Sequence, residues 1–299
     1  MAVSTRIIKR RIKSVANTRK ITRAMELVSA AKMRKAIQLA AASRDYAATV
    51  RDLAGDVSRY VDPRSHVLLS GPAVSESILA VVASSDRGLC GGFNSQLLKK
   101  TLDFLLQRTE KNIKVVAVGR RAESTVKRAG YSILASFDAI SNAPTYDRTL
   151  PIGKLVFDEF TSGKADRVFV IYTDFKNAVF QIPTAKQLLP VILETEPLKS
   201  DSTSKEWDDS KLDEPRIKFE PDTDLVLKEL LPRMLEMQIY QSLLESAASE
   251  HSARMVAMQS ATDNASSMLE DLTFTFNQAR QANITREISE ISAGKAAIE

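Results

Sequence analysis

Few residues in this chain have the type and spacing that chemistry demands. Phosphate transfer calls for backbone amides wrapped around an anion, as in G-x-x-x-x-G-K-[ST] or G-x-G-x-x-G, and neither pattern occurs in the 299 residues. Gly163-Lys164 lacks both the upstream glycine and the following hydroxyl. Two histidines, His66 and His251, and one cysteine, Cys90, form neither a metal-ligand cluster nor a nucleophile triad by spacing. A lone cysteine also makes no internal disulfide, so a reducing interior is the expected compartment. The most unusual stretch is Ser84-Ser85-Asp86-Arg87-Gly88-Leu89-Cys90-Gly91-Gly92-Phe93-Asn94. It follows an apolar run, where an open α/β sheet would hold a ligand, and its glycines permit tight turns. A cofactor loop is one reading. A folded turn that touches a partner is the stronger one, because lysine and the spaced glycines are missing, and Cys90 is then a small buried hydrophobe. No catalytic residue, cofactor or metal ligand is expected.

Charge is distributed very unevenly. The first 44 residues carry twelve Arg or Lys against the single acid Glu26, while 194–224 hold eleven acids against five bases. One end therefore seeks an acidic partner, either nucleic acid or another protein. The basic run has no aromatic side chain for base stacking before Tyr46, which weakens the nucleic-acid alternative of a basic coiled-coil protein. No eighteen consecutive apolar residues occur, so no direct membrane span is expected, and no secretory signal is apparent.

Two long helices are expected to position these groups. After Ser4 or Thr5 as a possible cap, Ile8, Ile12, Val15, Thr18, Ile21, Met25 and Val28 recur at helical steps, and helix can continue to Gly55 or Asp62-Pro63. Such a rod is about 75–85 Å long at 1.5 Å per residue. A second helix is expected from Asp222 to about Ile291, perturbed at Pro232. Within it Leu244, Ala248, His251, Met255, Met258, Thr262, Ala265, Leu269, Leu272, Phe276 and Ala279 alternate steps of four and three, a heptad seam with small members. On that seam His251 is expected to be packed rather than catalytic. The seam needs a partner helix, and the N-terminal stripe is the natural one, running antiparallel. Between the helices, apolar runs at Ile78–Ala83, Val115–Val118, Ile133–Ala135 and Val168–Tyr172 alternate with helical stretches at Ser95–Gln107, Arg120–Ala129 and Ile152–Phe160. Strand and helix in alternation predict an α/β, doubly wound (Rossmann-like) sheet. Ala178–Ile182 is expected as an antiparallel hairpin partner of Val168–Phe175, ended by Pro183. The expected division is an N-terminal shaft helix at 1–62, a central α/β domain at 63–219 with an acidic loop near 197–215, and a C-terminal shaft helix at 220–299.

Three blocks carry a family resemblance. Lys13-Ser14-Val15-Ala16-Asn17-Thr18-Arg19-Lys20-Ile21-Thr22-Arg23-Ala24-Met25-Glu26-Leu27-Val28-Ser29-Ala30-Ala31-Lys32-Met33-Arg34 resembles the opening helix of F-type ATP synthase gamma subunits. Ser85-Asp86-Arg87-Gly88-Leu89-Cys90-Gly91 resembles their central loop. Glu250-His251-Ser252-Ala253-Arg254-Met255-Val256-Ala257-Met258, Ala261-Thr262-Asp263-Asn264-Ala265 and Arg280-Gln281-Ala282-Asn283-Ile284-Thr285-Arg286-Glu287 are similar to the closing helix. The blocks stand in the family's order across nearly the whole chain.

The resemblance implies a non-catalytic rotor whose terminal helices form an antiparallel coiled coil inside a ring of alpha and beta subunits. It implies a central domain at the foot, against an epsilon-type subunit and a membrane ring of c subunits. Lys20, Arg23 and Met25 would face the catalytic ring from the opening helix, and Arg280, Gln281, Thr285 and Glu287 from the closing one. Asp86, Arg87, Gly88, Cys90 and Gly91 form the matching loop of the central domain. The expected location is peripheral, on the cytoplasmic face of a bacterial inner membrane, with the matrix side of the mitochondrial inner membrane as the alternative. The acidic stretch lacks the cysteines of the redox-regulated chloroplast form, and Lys295 departs from the small apolar residues usual at the family's C-terminus.

Overall fold

A computed structural model describes residues 5–58, 66–71, 76–110, 112–191 and 223–296. The acidic stretch 197–215, the expected boundaries near 62 and 220, and the caps Ser4 and Asp222 lie outside the described residues. Ten elements follow one another: α1 (Thr5–Ser58), β1 (Ser77–Ala83), α2 (Phe93–Leu106), β2 (Asn112–Val118), α3 (Arg120–Arg128), β3 (Ser132–Phe137), α4 (Tyr146–Thr161), β4 (Arg167–Phe175), β5 (Gln181–Leu189) and α5 (Thr223–Ala296). They form two compact units. One holds α1 up to Ala31, Leu89–Gly91 and α5 from His251; the other holds α1 from Lys32, the sheet with its helices, and α5 up to Glu250.

In the sheet-bearing unit the strand order is β3-β2-β1-β4-β5. β1 pairs in parallel with β2 and β4, β2 with β3, and β5 closes one edge antiparallel to β4. The central strands are buried on both faces, which is why they read as continuous apolar runs. Leu79, Val81, Val116, Val118, Val168 and Val170 share one core with Val50, Ala54 and Val57 of α1, Ile152, Val156 and Phe160 of α4, and Leu227, Leu231, Leu235 and Ile239 of α5. On the sheet, α2 touches β4 and β5 while α3 touches β2 and β3.

Two local expectations need correction. The hairpin partner runs from Gln181 to Leu189 and passes through Pro183, which lies opposite Thr173. A proline lacks one ladder donor, and an edge strand tolerates that loss. Helix α4 begins six residues before Ile152 and contains Pro151, because Arg148 N and Thr149 N already bond the Thr145 carbonyl at 3.1 and 3.2 Å and nucleate the first turn ahead of the proline. Helix α5 carries Pro232 inside its span.

The α1 stripe also differs from the expected one. Among the buried α1 positions, Ile8, Thr22, Ser29, Ala36, Val50 and Val57 are whole heptads apart, and Ala40 and Ala54 follow Ala36 and Val50 at steps of four, whereas Thr18, Ile21 and Val28 face outward, the last two 61% and 55% exposed. A strict seven-residue seam keeps the same face inward, and small Thr22 and Ser29 permit close helix approach where isoleucine would not. On α5, every member of the expected seam from Leu244 to Ala279 is buried or half-buried.

Candidate partner-contact site

In the unit of paired helix ends, α1 and α5 run antiparallel at a fixed register. The Thr262 hydroxyl donates to the Thr22 hydroxyl at 2.8 Å, and Thr22 in turn donates to the Arg19 carbonyl at 3.1 Å. Thr5 therefore stands level with Ala279, and α5 continues to Ala296 with no α1 residue beside it among the described residues. That extension is about 25 Å long. It carries Arg280, Gln281, Thr285 and Glu287, all exposed, together with the exposed apolar stripe Ile284, Ile288 and Ile291. An unpaired helix with such a stripe is built to be covered.

Lower on the same pair, Arg19, Lys20, Arg23, Ala24, Leu27, Thr262 and Ser266 line a groove of about 530 Å³. Its apolar floor and cationic rim suit an acidic amphipathic segment. The three cations are not equivalent. Arg23 Nη1 donates to both carboxylate oxygens of Glu26, at 2.7 and 2.9 Å, whereas Arg19 and Lys20 make no ion pair among the described residues. Met25 is half-buried.

The glycine-rich loop is a folded turn. Asp86 accepts from Arg120 N at 3.3 Å through one carboxylate oxygen, and from Ala139 N at 3.1 Å and Ser141 Oγ at 2.9 Å through the other. This ties the ends of β1, β2 and β3 together. Gly119 turns the chain into α3 at φ +92°, where a Cβ would collide with the Ser84 carbonyl. Ser85 Oγ donates to the Arg87 carbonyl at 2.6 Å, Arg87 is exposed and Gly88 is half-buried. In the other unit, Gly91 lies at φ +53°, where an added Cβ would stand 3.9 Å from the Ala253 carbonyl of α5, and Cys90 is buried.

The first-turn amides of α3, where a phosphate would dock, are already used. Arg120 N, Arg121 N and Ala122 N donate to Asp86 Oδ1, the Ser85 carbonyl and Ser84 Oγ, the last two at 3.2 and 2.7 Å. The sheet's topological switch point lies between β1 and β4, the usual ligand crevice of this architecture. Here α5 fills it, with Ser246 Oγ donating to the Ala83 carbonyl at 3.0 Å and Ser249 Oγ to the Thr173 carbonyl at 3.2 Å. Sequence reasoning overlooked Ser246 and Ser249; the available signal was a set of small hydroxyls one turn apart inside an apolar helix. Among the described residues, no group of His, Cys, Asp and Glu could hold a metal ion, and no helix is long and apolar enough to cross a membrane.

Comparison with known proteins agrees with this geometry. The sequence profile of a family described as ATP synthase matches residues 4–298. The chain is 41% identical over 300 residues to the ATP synthase gamma chain of Roseiflexus sp. (strain RS-1), covering 99% of this chain and 98% of that one. It is 40% identical over 299 residues to the namesake of Chloroflexus aurantiacus (strain J-10-fl), covering 99% of each. Its fold is similar to a chain of the OSCP/F1/c-ring part of Euglena gracilis mitochondrial ATP synthase in rotational state 3, with TM-score 0.67, 18% identity, and coverage of 99% of this chain and 94% of that one. It is also similar to a chain of the central stalk and c-ring of the Tetrahymena thermophila enzyme, with TM-score 0.58, 23% identity, and coverage of 81% and 99%. A match over nearly the whole chain, at about two residues in five, shows that this chain belongs to the ATP synthase gamma family.

Proposed function

We propose that the chain is the central-stalk rotor of a proton- or other ion-translocating F-type ATP synthase, performing no ATP chemistry itself. One observation carries the reading: α5 pairs antiparallel with α1 and then runs on past Thr5, with no described α1 residue beside it and an exposed apolar stripe. The used α3 amides and the helix-filled switch point support the absence of catalysis, since among the described residues they close the place where this architecture usually holds a nucleotide.

The partners are the alpha and beta subunits of a catalytic head, an epsilon-type subunit and the c-subunit ring. Arg19 and Lys20, with Arg23 shared with Glu26, attract acidic segments of the head along the groove. Arg280, Gln281, Thr285 and Glu287 make the polar contacts of the unpaired extension, and the Asp86–Gly91 loop makes a further one from the central domain. A shaft with different faces shifts each of three equivalent sites towards a different nucleotide state, because only differential contacts move such equilibria. The bacterial organisms of the relatives favour the cytoplasmic face of a bacterial inner membrane. The nucleic-acid reading of the same cations finds no support in the comparisons.

Reconstitution tests the proposal. Alpha and beta subunits assembled with the chain should hydrolyse ATP faster than without it and, on a membrane sector, pump ions. Equal hydrolysis with and without the chain overturns it.

A further inference from the structure

We propose that a hydrogen-bonded joint between α5 and the C-terminal ends of β1 and β4, centred on Glu245, fixes the angular position of the α/β domain on the shaft helices and so carries torque between them. The proposal rests on the rotor reading. A rotor must resist twisting at every junction, and apolar burial resists it poorly because it is non-directional. Hydrogen bonds have a preferred line and angle, and they hold a helix at one rotation about its axis.

The helix seam near this level is made of small side chains, Ala36, Ala40 and Ala47 on α1 and Ala247 and Ala248 on α5, which permit close approach but give little grip. The grip comes from polar groups on consecutive turns of α5. Ser246 and Ser249 donate to carbonyls of β1 and β4. On the same stretch of α5, the Glu245 carboxylate accepts from Gln241 Nε2 at 2.9 Å and stands near the Tyr172 phenol of β4, whose pKa its charge helps to raise. Arg44 of α1 places Nη2 3.8 Å from the same carboxylate, Gln241 also reaches the Ala40 carbonyl at 3.4 Å, and Ser43 donates to the Gln241 carbonyl oxygen. Glu245 thus links the two long helices next to the sheet, and Ser246 and Ser249 supply the bonds to β1 and β4. The Glu245 side chain is only 12% exposed, and Ser246 and Ser249 are buried, so the two serine bonds to the strands are shielded from competing water. Burial, together with the charges of Glu245 and Asp174, raises the Tyr172 phenol above its ordinary pKa, so it remains a donor throughout the physiological range.

The test uses complexes assembled with Tyr172→Phe, Ser246→Ala, Ser249→Ala and the triple variant, measuring ATP hydrolysis, ATP-driven ion pumping and melting of the free subunit. Thr161→Ala, which removes an exposed hydroxyl bonded only within α4, serves as control. The triple variant is expected to keep hydrolysis while ions pumped per ATP fall by at least about two- to tenfold, the factor that one net hydrogen bond carries. In single-molecule recordings from a probe on the α/β domain, angular fluctuation at stall should widen. Ser246→Thr keeps the donor and should restore the ratio. Should the triple variant not assemble, Ser249→Ala decides, since it removes a single oxygen atom, the one bonded to the Thr173 carbonyl. An unchanged pumping ratio and unchanged fluctuation in assembled variants overturn the joint, as does a loss that only parallels lower melting. Failure of the rotor reading is separate: the wild-type chain would then confer no pumping at all.

Discussion

Asp166 secures the start of β1 to the start of β4. Its Oδ2 accepts from Glu76 N at 2.9 Å, Ser77 N at 2.9 Å and Ser77 Oγ at 2.8 Å. Desolvation tends to raise the pKa of this carboxyl, but the three donors outweigh it and hold the group below its ordinary 3.8. A depressed folded value means that the ionised form stabilises the fold above pH 3.8 and that this contribution is lost as pH falls through the lower folded value. Asp166→Asn should therefore cost on the order of 1 kcal/mol at neutral pH, a hydrogen bond to a charged group discounted for partial exposure to solvent. Thermal melts against pH check it: the gap between wild type and variant should close in acid. A gap independent of pH would mean that the charge contributes nothing.

At the scale of elements, the α5 seam depends on small side chains. Ala265 is buried in the paired helix ends and Ala248 in the sheet-bearing unit, each at a seam position. Replacing either by Trp overpacks the seam, at a cost of about 1–3 kcal/mol. Melting temperature should fall by several degrees, and for Ala265→Trp the helices should part near the Thr22–Thr262 contact. Phe at the exposed position 274 already shows that a bulky ring is tolerated off the seam. Unchanged melting for both Trp variants would mean that the seam does not control helix pairing.

For the whole molecule, the charge split matters more than the net +5. Cations grouped at one end steer an acidic partner over distances comparable to the Debye length, about 10 Å at 0.1 M salt. A variant with Arg19→Gln and Lys20→Gln, the two groove cations without an ion pair among the described residues, should bind the catalytic head roughly tenfold more slowly at low ionic strength. The difference should shrink as salt is added. Stopped-flow association at several ionic strengths measures it, and equal rates at low salt would remove the groove from the encounter surface.

Much of this architecture was legible in the residues because it rests on local periodicity. Heptad spacing from Leu244 to Ala279 marked the α5 seam, and continuous apolar runs marked the parallel strands, since both patterns follow from how a helix or a doubly covered strand must bury one kind of side chain. The missing phosphate patterns, the basic opening helix and the blocks around Lys20, Arg87 and Arg280 were equally readable. Other features were decided only in three dimensions. Ile21 and Val28 face outward because the partner helix selects a strict heptad through Thr22 and Ser29. Arg23 is paired with Glu26, while Arg19 and Lys20 make no ion pair among the described residues. β5 passes through Pro183 because it lies at the sheet edge. The joint at Glu245 brings together Arg44, Tyr172 and Gln241, which are far apart in the chain or on different elements, and no spacing announces it. Local spacing sets which face each element buries, but which polar groups meet is fixed by packing between elements, where a bond depends on angles and distances that no single segment contains.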